Sequence, residues 1–342
     1  MAKISIHLVT WNAEKYLENC LNSVLGQISK DYFVLVIDNS SSDKTAQIME
    51  EQFIPIFGQR LRFLKNRENI GFAKAHNQAI LWTDSEYILT LNQDVVLSDN
   101  FTIEAIKFLD EHKDVAAVSG KVLRATFEKS EDLKNMKKTD IIDSLGLKIF
   151  KSQRAVEIGA GEKDAGQFEK IEEIFGVSAN SAVFRRSALN DVRYGDEFFD
   201  NDFFSYKEDV DLAYRLRLRG WKSYYLPQAV CYHERTAKSR EKIRCLGAVR
   251  LRKHKTKFVN YYSYKNHLFI LLKNLSAKNF FRYFFQIFFY ELGKFLYILF
   301  FEWKTLSGLK DFFGKYKKMK EKRRFIMKNR LSDDLDIRRW FV

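Results

Sequence analysis

The feature that most constrains this chain is a regular alternation over its first 123 residues. β-rich apolar runs at 4–10, 33–39, 61–66, 87–97 and 115–123 alternate with segments at 13–25, 40–53, 72–82 and 103–112 whose apolar residues recur at helical spacing. In the first helical segment Leu17, Cys20, Leu21, Val24 and Leu25 share one face. The run FVLVIDN at 33–39 is apolar throughout and ends in a polar tip, the pattern of a strand buried on both faces. This strand–helix alternation predicts an α/β fold, a mostly parallel sheet with helices on both faces. Ligands of such sheets bind outside the carboxyl ends of the strands. Three strand tips are therefore candidate site residues: Thr10-Trp11-Asn12, Asp38-Asn39 and Asn92-Gln93-Asp94. Segment 124–170 is polar and irregular and reads as a loop or an inserted hairpin. Segment 175–189 returns to small residues and a helix start.

Charge is unevenly placed. The formal net charge is +14, yet residues 250–342 hold 23 of the 58 Lys and Arg side chains and only 7 of the 44 Asp and Glu. The rest of the chain is therefore close to neutral. The same tail holds 15 of the 31 phenylalanines. Two regions are expected: a catalytic domain over 1–240 and a basic, aromatic, helical region over 241–342. The most apolar part of the tail, 279–303, is interrupted by Arg282, Glu291, Lys294 and Glu302. It falls short of the roughly 20 apolar residues of a membrane span. Basic aromatic helices lie in membrane interfaces, so the expected location is cytoplasmic, peripheral at the inner membrane surface. A core-packing helix with a solvated basic end is the competing reading. Nucleic acid also suits a basic protein, but here the charge accompanies phenylalanine, and no nucleic acid partner is expected. Cys20, Cys231 and Cys245 show no CxxC spacing, which points to a reducing compartment. No basic-then-apolar leader precedes the first strand.

Several residue types point to chemistry. Asp38 ends an apolar strand; Asp43 is the better helix cap in the following SSSDK, which frees Asp38 for a ligand. ENIGFAKAHNQAI (68–80) places Asn69, Gly71 and a helix start in sequence, and helix N-termini offer free N–H groups to anions; a plain turn is the alternative. In LTLNQDVV (89–96) a carboxylate interrupts a buried strand, which is costly unless it is paired or holds a metal. In the helix beginning at 208, Asp209 leads the stripe Leu212, Ala213 and Leu216 and is expected to face inward. Glu208 and Asp211 read as first-turn acids, with Asp211 and Arg215 an ordinary solvated i, i+4 pair. An inward carboxylate at a helix start beside a cleft suits a general base. His233, just past Pro227, matters only if the fold brings it near Asp94.

Together VTWNAEKYLENCLNSVLGQ, VLVIDNSSSD, RENIGFAKAHNQAI, LTLNQDVVL, SANSAVFRRSAL, FFDNDFFSYKEDVDLAYRLRLRGW and the His233 segment resemble family 2 glycosyltransferases of the nucleotide-sugar-binding GT-A fold, in their bacterial rhamnosyltransferase-like branch. The resemblance spans roughly 3–275, and YYSYKNHLFILLKN (261–274) is similar to the element that follows the catalytic domain there. It implies that Thr10 and Asn12 line the nucleotide pocket and that Asp38 accepts the base N–H of uracil or thymine. It places Asn69 and Gly71 beside the nucleotide and Asn77 and Asn92 near the donor. It gives Asp94 and His233 a divalent cation, Mg²⁺ or Mn²⁺, and makes Asp209 the catalytic base. The motif here reads Asn-Gln-Asp, without the first carboxylate of DxD. The implied activity is inverting transfer from a nucleoside-diphosphate sugar, dTDP-rhamnose first and a UDP-hexose second, to a cell-surface glycan or lipid-linked precursor. A sugar nucleotidyltransferase would need a glycine-rich basic loop after the first strand, and TWNAEKYLEN has neither glycine nor arginine.

Overall fold

The structure, a computed structural model, describes residues 2–127, 136–234 and 256–342. The boundary expected near 240 and Cys245 lie outside the described residues. The expected alternation is present: β1 (Ile4–Thr10), α1 (Leu17–Leu25), β2 (Tyr32–Asp38), α2 (Thr45–Ile48), α3 (Ile54–Phe57), β3 (Leu61–Lys65), α4 (Gly71–Trp82), β4 (Tyr87–Asn92), β5 (Val95–Leu97), α5 (Phe101–Glu111) and β6 (Val115–Phe127). The second helical segment starts later than its periodicity suggests. Asp43 Oδ1 accepts the Thr45 N–H at 3.0 Å, and a π-helical turn, Met49–Phe53, joins α2 to α3.

Among the described residues of 124–170, the inserted-hairpin alternative is the one present. β7 (Met136–Ser144) pairs antiparallel with β6, and β8 (Leu147–Ile149) forms a hairpin with β9 (Ala155–Glu157). The chain continues through β10 (Glu172–Glu173), β11 (Ser181–Arg185), α6 (Arg186–Val192), α7 (Glu208–Leu218) and β12 (Lys222–His233). In space the main sheet runs β10-β12-β6-β11-β4-β1-β2-β3. The pairs β1·β2, β1·β4, β2·β3 and β6·β12 are parallel, while β11 lies antiparallel between β4 and β6.

Register aligns the tips. Thr10 stands opposite Asp38, and Val9 opposite Asn92. β12 is longer than the short strand expected before His233; its register shifts between Leu226 and Val230, around Pro227. Its end pairs antiparallel with β5, His233 opposite Val95, which sets the imidazole beside Asp94. Apolar residues of α1 and α5 pack on one face of the sheet, and those of α4, α6 and α7 on the other.

The tail forms α8 (Lys257–Asn274), α9 (Ala277–Arg282), α10 (Phe284–Phe301), α11 (Ser307–Gly314), α12 (Tyr316–Lys328) and α13 (Asp334–Arg338). Phe269, Tyr283, Met319 and Phe341 share one core with Phe175, Phe203, Val210 and Tyr214. That added layer changes α7. An amphipathic helix is expected to keep one solvated face, but ten of the eleven residues of α7 are buried, and the exception is Asp209. The phase argument is therefore corrected. Glu208 and Asp211 are the inward acids, 7% and 0% exposed, because α7 lies between the sheet layer and α8.

Candidate active site

The tips of β1 and β2 are organised around the Ser40–Ser42 turn. Asp38 is 3% exposed and is not free as expected. Its Oδ1 accepts from Thr10 Oγ1 at 3.0 Å and Ser41 Oγ at 2.5 Å, and its Oδ2 from the Ser41 N–H at 3.0 Å. Asn12, at φ +50°, accepts the Ser42 N–H at 2.9 Å and donates its own N–H to Ser41 Oγ at 2.8 Å. Between them Trp11 stands out, 53% exposed, with its backbone held at both ends by the Gln93 amide.

Asn69 Oδ1 accepts the Gly71 N–H at 2.9 Å. Gly71 has φ +81°, and a Cβ there would lie 2.6 Å from the Phe204 ring, so this position requires glycine. The start of α4 is covered: the Ala73 N–H donates to the Phe204 carbonyl at 3.1 Å. Asn77 uses its whole amide on a neighbouring loop. It donates to Phe199 O at 2.7 Å and Asn201 Oδ1 at 2.9 Å, and it accepts the Phe198 and Phe199 N–H groups.

Asp94 and His233 come together. His233 Nε2 lies 3.4 Å from Asp94 Oδ1, while Nδ1 lies 2.9 Å from Asp143 Oδ2 and 3.4 Å from the Asn180 amide. Burial opposes a charge on the imidazole, but the two carboxylates outweigh it and raise its pKa to about 10. The arrangement fits a divalent cation. A carboxylate on one ring nitrogen aims the other, the common outer-shell pattern of metal-bound histidine. Adjacent ligand atoms of an octahedral Mg²⁺ are about 3 Å apart, given ligand distances of about 2.1 Å. Asn92 offers an amide in place of the missing carboxylate, and its N–H donates to Asn180 O at 2.8 Å.

Asp209 reaches the same region through the backbone. Burial pushes its carboxyl above the ordinary carboxylate range, against the opposing pull of the Val210 N–H, the Lys207 charge and the Ala179 N–H. The residue after Ala179 is Asn180, which touches both His233 and Asn92. Two consecutive residues thus link the three candidate roles. Glu208, buried beside Asp209, is pushed up to about 8 by desolvation and then by the Asp209 charge, and its Oε2 has no hydrogen-bond partner.

The approach to α7 is strained: Phe204, Tyr206 and Lys207 all have φ between +65° and +69°. Such conformations persist only when their surroundings over-determine them. Asn266 of α8 does this, its Nδ2 donating to the Phe203, Ser205 and Tyr206 carbonyls at 3.0, 2.9 and 2.7 Å. Asp211 is equally tied. It is bound by Arg215 Nε at 3.0 Å, Lys273 Nζ at 2.7 Å and Asn274 Nδ2 at 2.7 Å, a buried network in place of the expected solvated pair.

Glu197, Asp200 and Asp202 also converge, with ligand atoms within 4.8 Å of one another. Lysines already occupy them. Lys322 Nζ lies 2.6 Å from Glu197, 2.6 Å from Asp200 and 3.1 Å from Asp202; Lys273 binds Asp200, and Lys315 and Lys318 bind Asp202. This is an ion-pair network that joins the tail to the body, and it leaves no charge for a cation to neutralise.

Asp143, Asn180 and Asn266 were not anticipated. Only the resemblance of SANSAVFRRSAL and YYSYKNHLFILLKN marked the last two stretches, and Asp143 sits in the segment read as irregular.

Among known proteins, the chain is 27% identical over 231 residues to the poly-beta-1,6-N-acetyl-D-glucosamine synthase of Staphylococcus epidermidis, covering 67% of this chain and 49% of that protein. It is 26% identical over 234 residues to the Staphylococcus aureus enzyme of the same name, again covering 67% and 49%. The chain thus spans about half the length of these relatives. Its fold is shared with S. aureus TarS 1-349 at a TM-score of 0.53 and 16% identity, covering 95% of this chain and 90% of that one. GalNAc-T7 in a structure with UDP, GalNAc and Mn²⁺ gives a TM-score of 0.56 at 11% identity, covering 76% and 51%. The expected GT-A fold is present. The sequence model described as Glycosyl transferase family 2 matches residues 5–193, more than half of the chain, and the protein belongs to glycosyltransferase family 2.

Proposed function

We propose that this protein transfers a sugar, with inversion, from a nucleoside-diphosphate sugar to a hydroxyl of a cell-surface glycan or its lipid-linked precursor. The observation that carries the reading is the meeting of Asp94 and His233 at the carboxyl ends of the strands, with Asn180 joining His233 to Asn92 and the Ala179 backbone beside Asp209. Asp38, held by Thr10 and Ser41, faces the base. Asn12, Asn69, Gly71 and Asn92 shape the nucleotide and donor pocket, and Asn77 supports it by holding the 198–201 loop. Asp94 and His233 would hold a divalent cation, with Asp143 orienting the imidazole. What Mg²⁺ or Mn²⁺ supplies there is positive charge against the departing diphosphate. Asp209 takes the proton of the attacking hydroxyl, and its raised pKa suits it to do so. One displacement suffices, with no covalent enzyme intermediate.

The donor proposed first is dTDP-rhamnose, from the branch that the motifs resemble. A UDP-linked N-acetylhexosamine or hexose is the second reading, supported by the names of the staphylococcal synthases and by the UDP in the GalNAc-T7 structure. The enzyme works at the inner face of the cytoplasmic membrane. A hydrolysis screen across nucleotide sugars, with Mg²⁺ or Mn²⁺ and with a chelator, tests the whole reading. Turnover of one donor that depends on Asp209 is expected; no turnover of any donor, or undiminished turnover by Asp209→Asn, sinks it.

A further inference from the structure

The tail's most apolar helix is turned outward. Phe284–Phe301 has a mean hydropathy of 1.4, and only 11% of it is buried. Phe285, Phe289 and Phe300 are 69%, 65% and 73% exposed. The charges that interrupt this helix in sequence do not interrupt its outer face. Glu291 and Lys294 lie on the inward stripe with Ile287 and Ile298. Glu291 accepts from His267 of α8 at 2.7 Å, and the Lys294 ammonium sits 4.9 Å from the Tyr264 ring centroid. Every exposed position of α10 is uncharged. Exposed Lys278, Arg282, Lys304 and Lys310 bracket it, with Trp303 at its end, 67% exposed.

Contrary to the expectation from sequence, α10 is long and apolar enough by length and composition to cross a bilayer, but its flanks forbid that. α8 precedes it and α12 follows it, and Lys273 of one and Lys322 of the other bind the same carboxylate, Asp200. Both ends of α10 are thereby held on one side. We propose that α10 lies flat in the surface of an anionic bilayer, its phenylalanine face sunk among the acyl chains and its basic flanks on the headgroups. This deepens the membrane-surface part of the function proposed above and does not depend on the transfer chemistry. The depth of such a helix is about 5–10 Å. An uncharged outer face of Phe and Leu, with Gln286 and Gly293 between them, bracketed by cations matches a lipid surface, where polar rim contacts are not needed.

Flotation of the full-length protein with phosphatidylcholine vesicles containing about a third phosphatidylglycerol is the test. The protein is expected to float, and Phe285→Asp/Phe289→Asp/Phe300→Asp to lower its partition by about tenfold or more. The matching triple change to Leu keeps the apolar face and is expected to keep binding within about threefold. Binding is expected to reverse on dilution of the vesicles. Failure to float, loss of binding in the Leu triple, or irreversible insertion overturns the proposal. So does a dimer in lipid-free buffer that the Asp triple disperses, or salt-sensitive duplex binding without flotation. Thermal unfolding checks that both triples are folded. Donor hydrolysis is read on the same samples: an inactive protein that floats counts against the transferase reading alone, and an active one that stays in solution counts against the anchor alone.

Discussion

Asp209 is the one residue of α7 that is only half-buried, yet its carboxyl is desolvated enough to be biased toward holding a proton. Asp209→Asn keeps the shape and removes the base; transfer is expected to fall by about 10²–10⁴-fold with unfolding unchanged. A group with a raised pKa must lose its proton before it can act, so kcat/KM is expected to rise with pH along a limb above the ordinary carboxylate range. A pH profile with its limb at ordinary carboxylate values would contradict the environment described for Asp209. Asp143 is 1% exposed, touches His233 Nδ1 at 2.9 Å, and in the proposed site orients that imidazole. Asp143→Asn is expected to weaken Mn²⁺ binding by about 10–100-fold. Calorimetry on the metal alone reads this without turnover, and unchanged affinity would remove Asp143 from the site.

At the scale of elements, α8 holds α7 and its approach loop in place. It presents two Lys-Asn pairs, Lys265-Asn266 and Lys273-Asn274, eight residues apart, a little over two turns. The first pair grips the 202–206 loop, and the second grips Asp200 and Asp211. Asn266→Ala leaves three carbonyls without that donor and releases the left-handed run before α7. A loss of about 1–3 kcal/mol is expected in denaturant unfolding, together with a fall in kcat. α12 contributes the other clamp. Lys322→Met leaves buried carboxylates without their cation, and breaking a buried pair costs about 3–5 kcal/mol. An unfolding midpoint indistinguishable from wild type would show that Lys273, Lys315 and Lys318 suffice.

For the whole molecule, the clamps set a pH window. Burial opposes ionisation of Asp202, but Lys318, Lys322 and Lys315 prevail and hold it down to about 2; Asp200 lies below the ordinary range for the same reason, through Lys273 and Lys322. Depressed carboxylates stabilise the fold above their unfolded pKa, near 3.8, and that contribution is lost as pH falls through the folded values. Lys322 is raised above 10.5, so its contribution is complete below that pH and is lost above it. Glu208 runs the other way: held protonated to about 8, it stabilises below its unfolded value of 4.5 and loses that contribution as pH rises through 8. Thermal unfolding across pH should therefore show a steep loss of stability between about pH 4 and pH 2 and a shallower one from about pH 5 to pH 8. A flat acid limb would contradict the ion-pair clamp between tail and body.

The sequence by itself determined the α/β class, the five leading strand segments and the strand tips, because periodicity and burial on both faces are local properties. The order of motifs also pointed to the family. Tertiary structure decided the rest. β11 inserts antiparallel between β4 and β6, a choice among edges that no local pattern encodes. Asp143 meets His233 across 90 residues, and the β6·β7 and β6·β12 pairings together bring them side by side. The burial of α7 reversed the expected exposure of Asp209 and its neighbours, because helical phase assumes one solvated face and the tail's added layer removed it. The same layer turned Glu291 and Lys294 inward and left phenylalanine outside. The charge sequence of a helix is local; which way each charge faces depends on what packs against it.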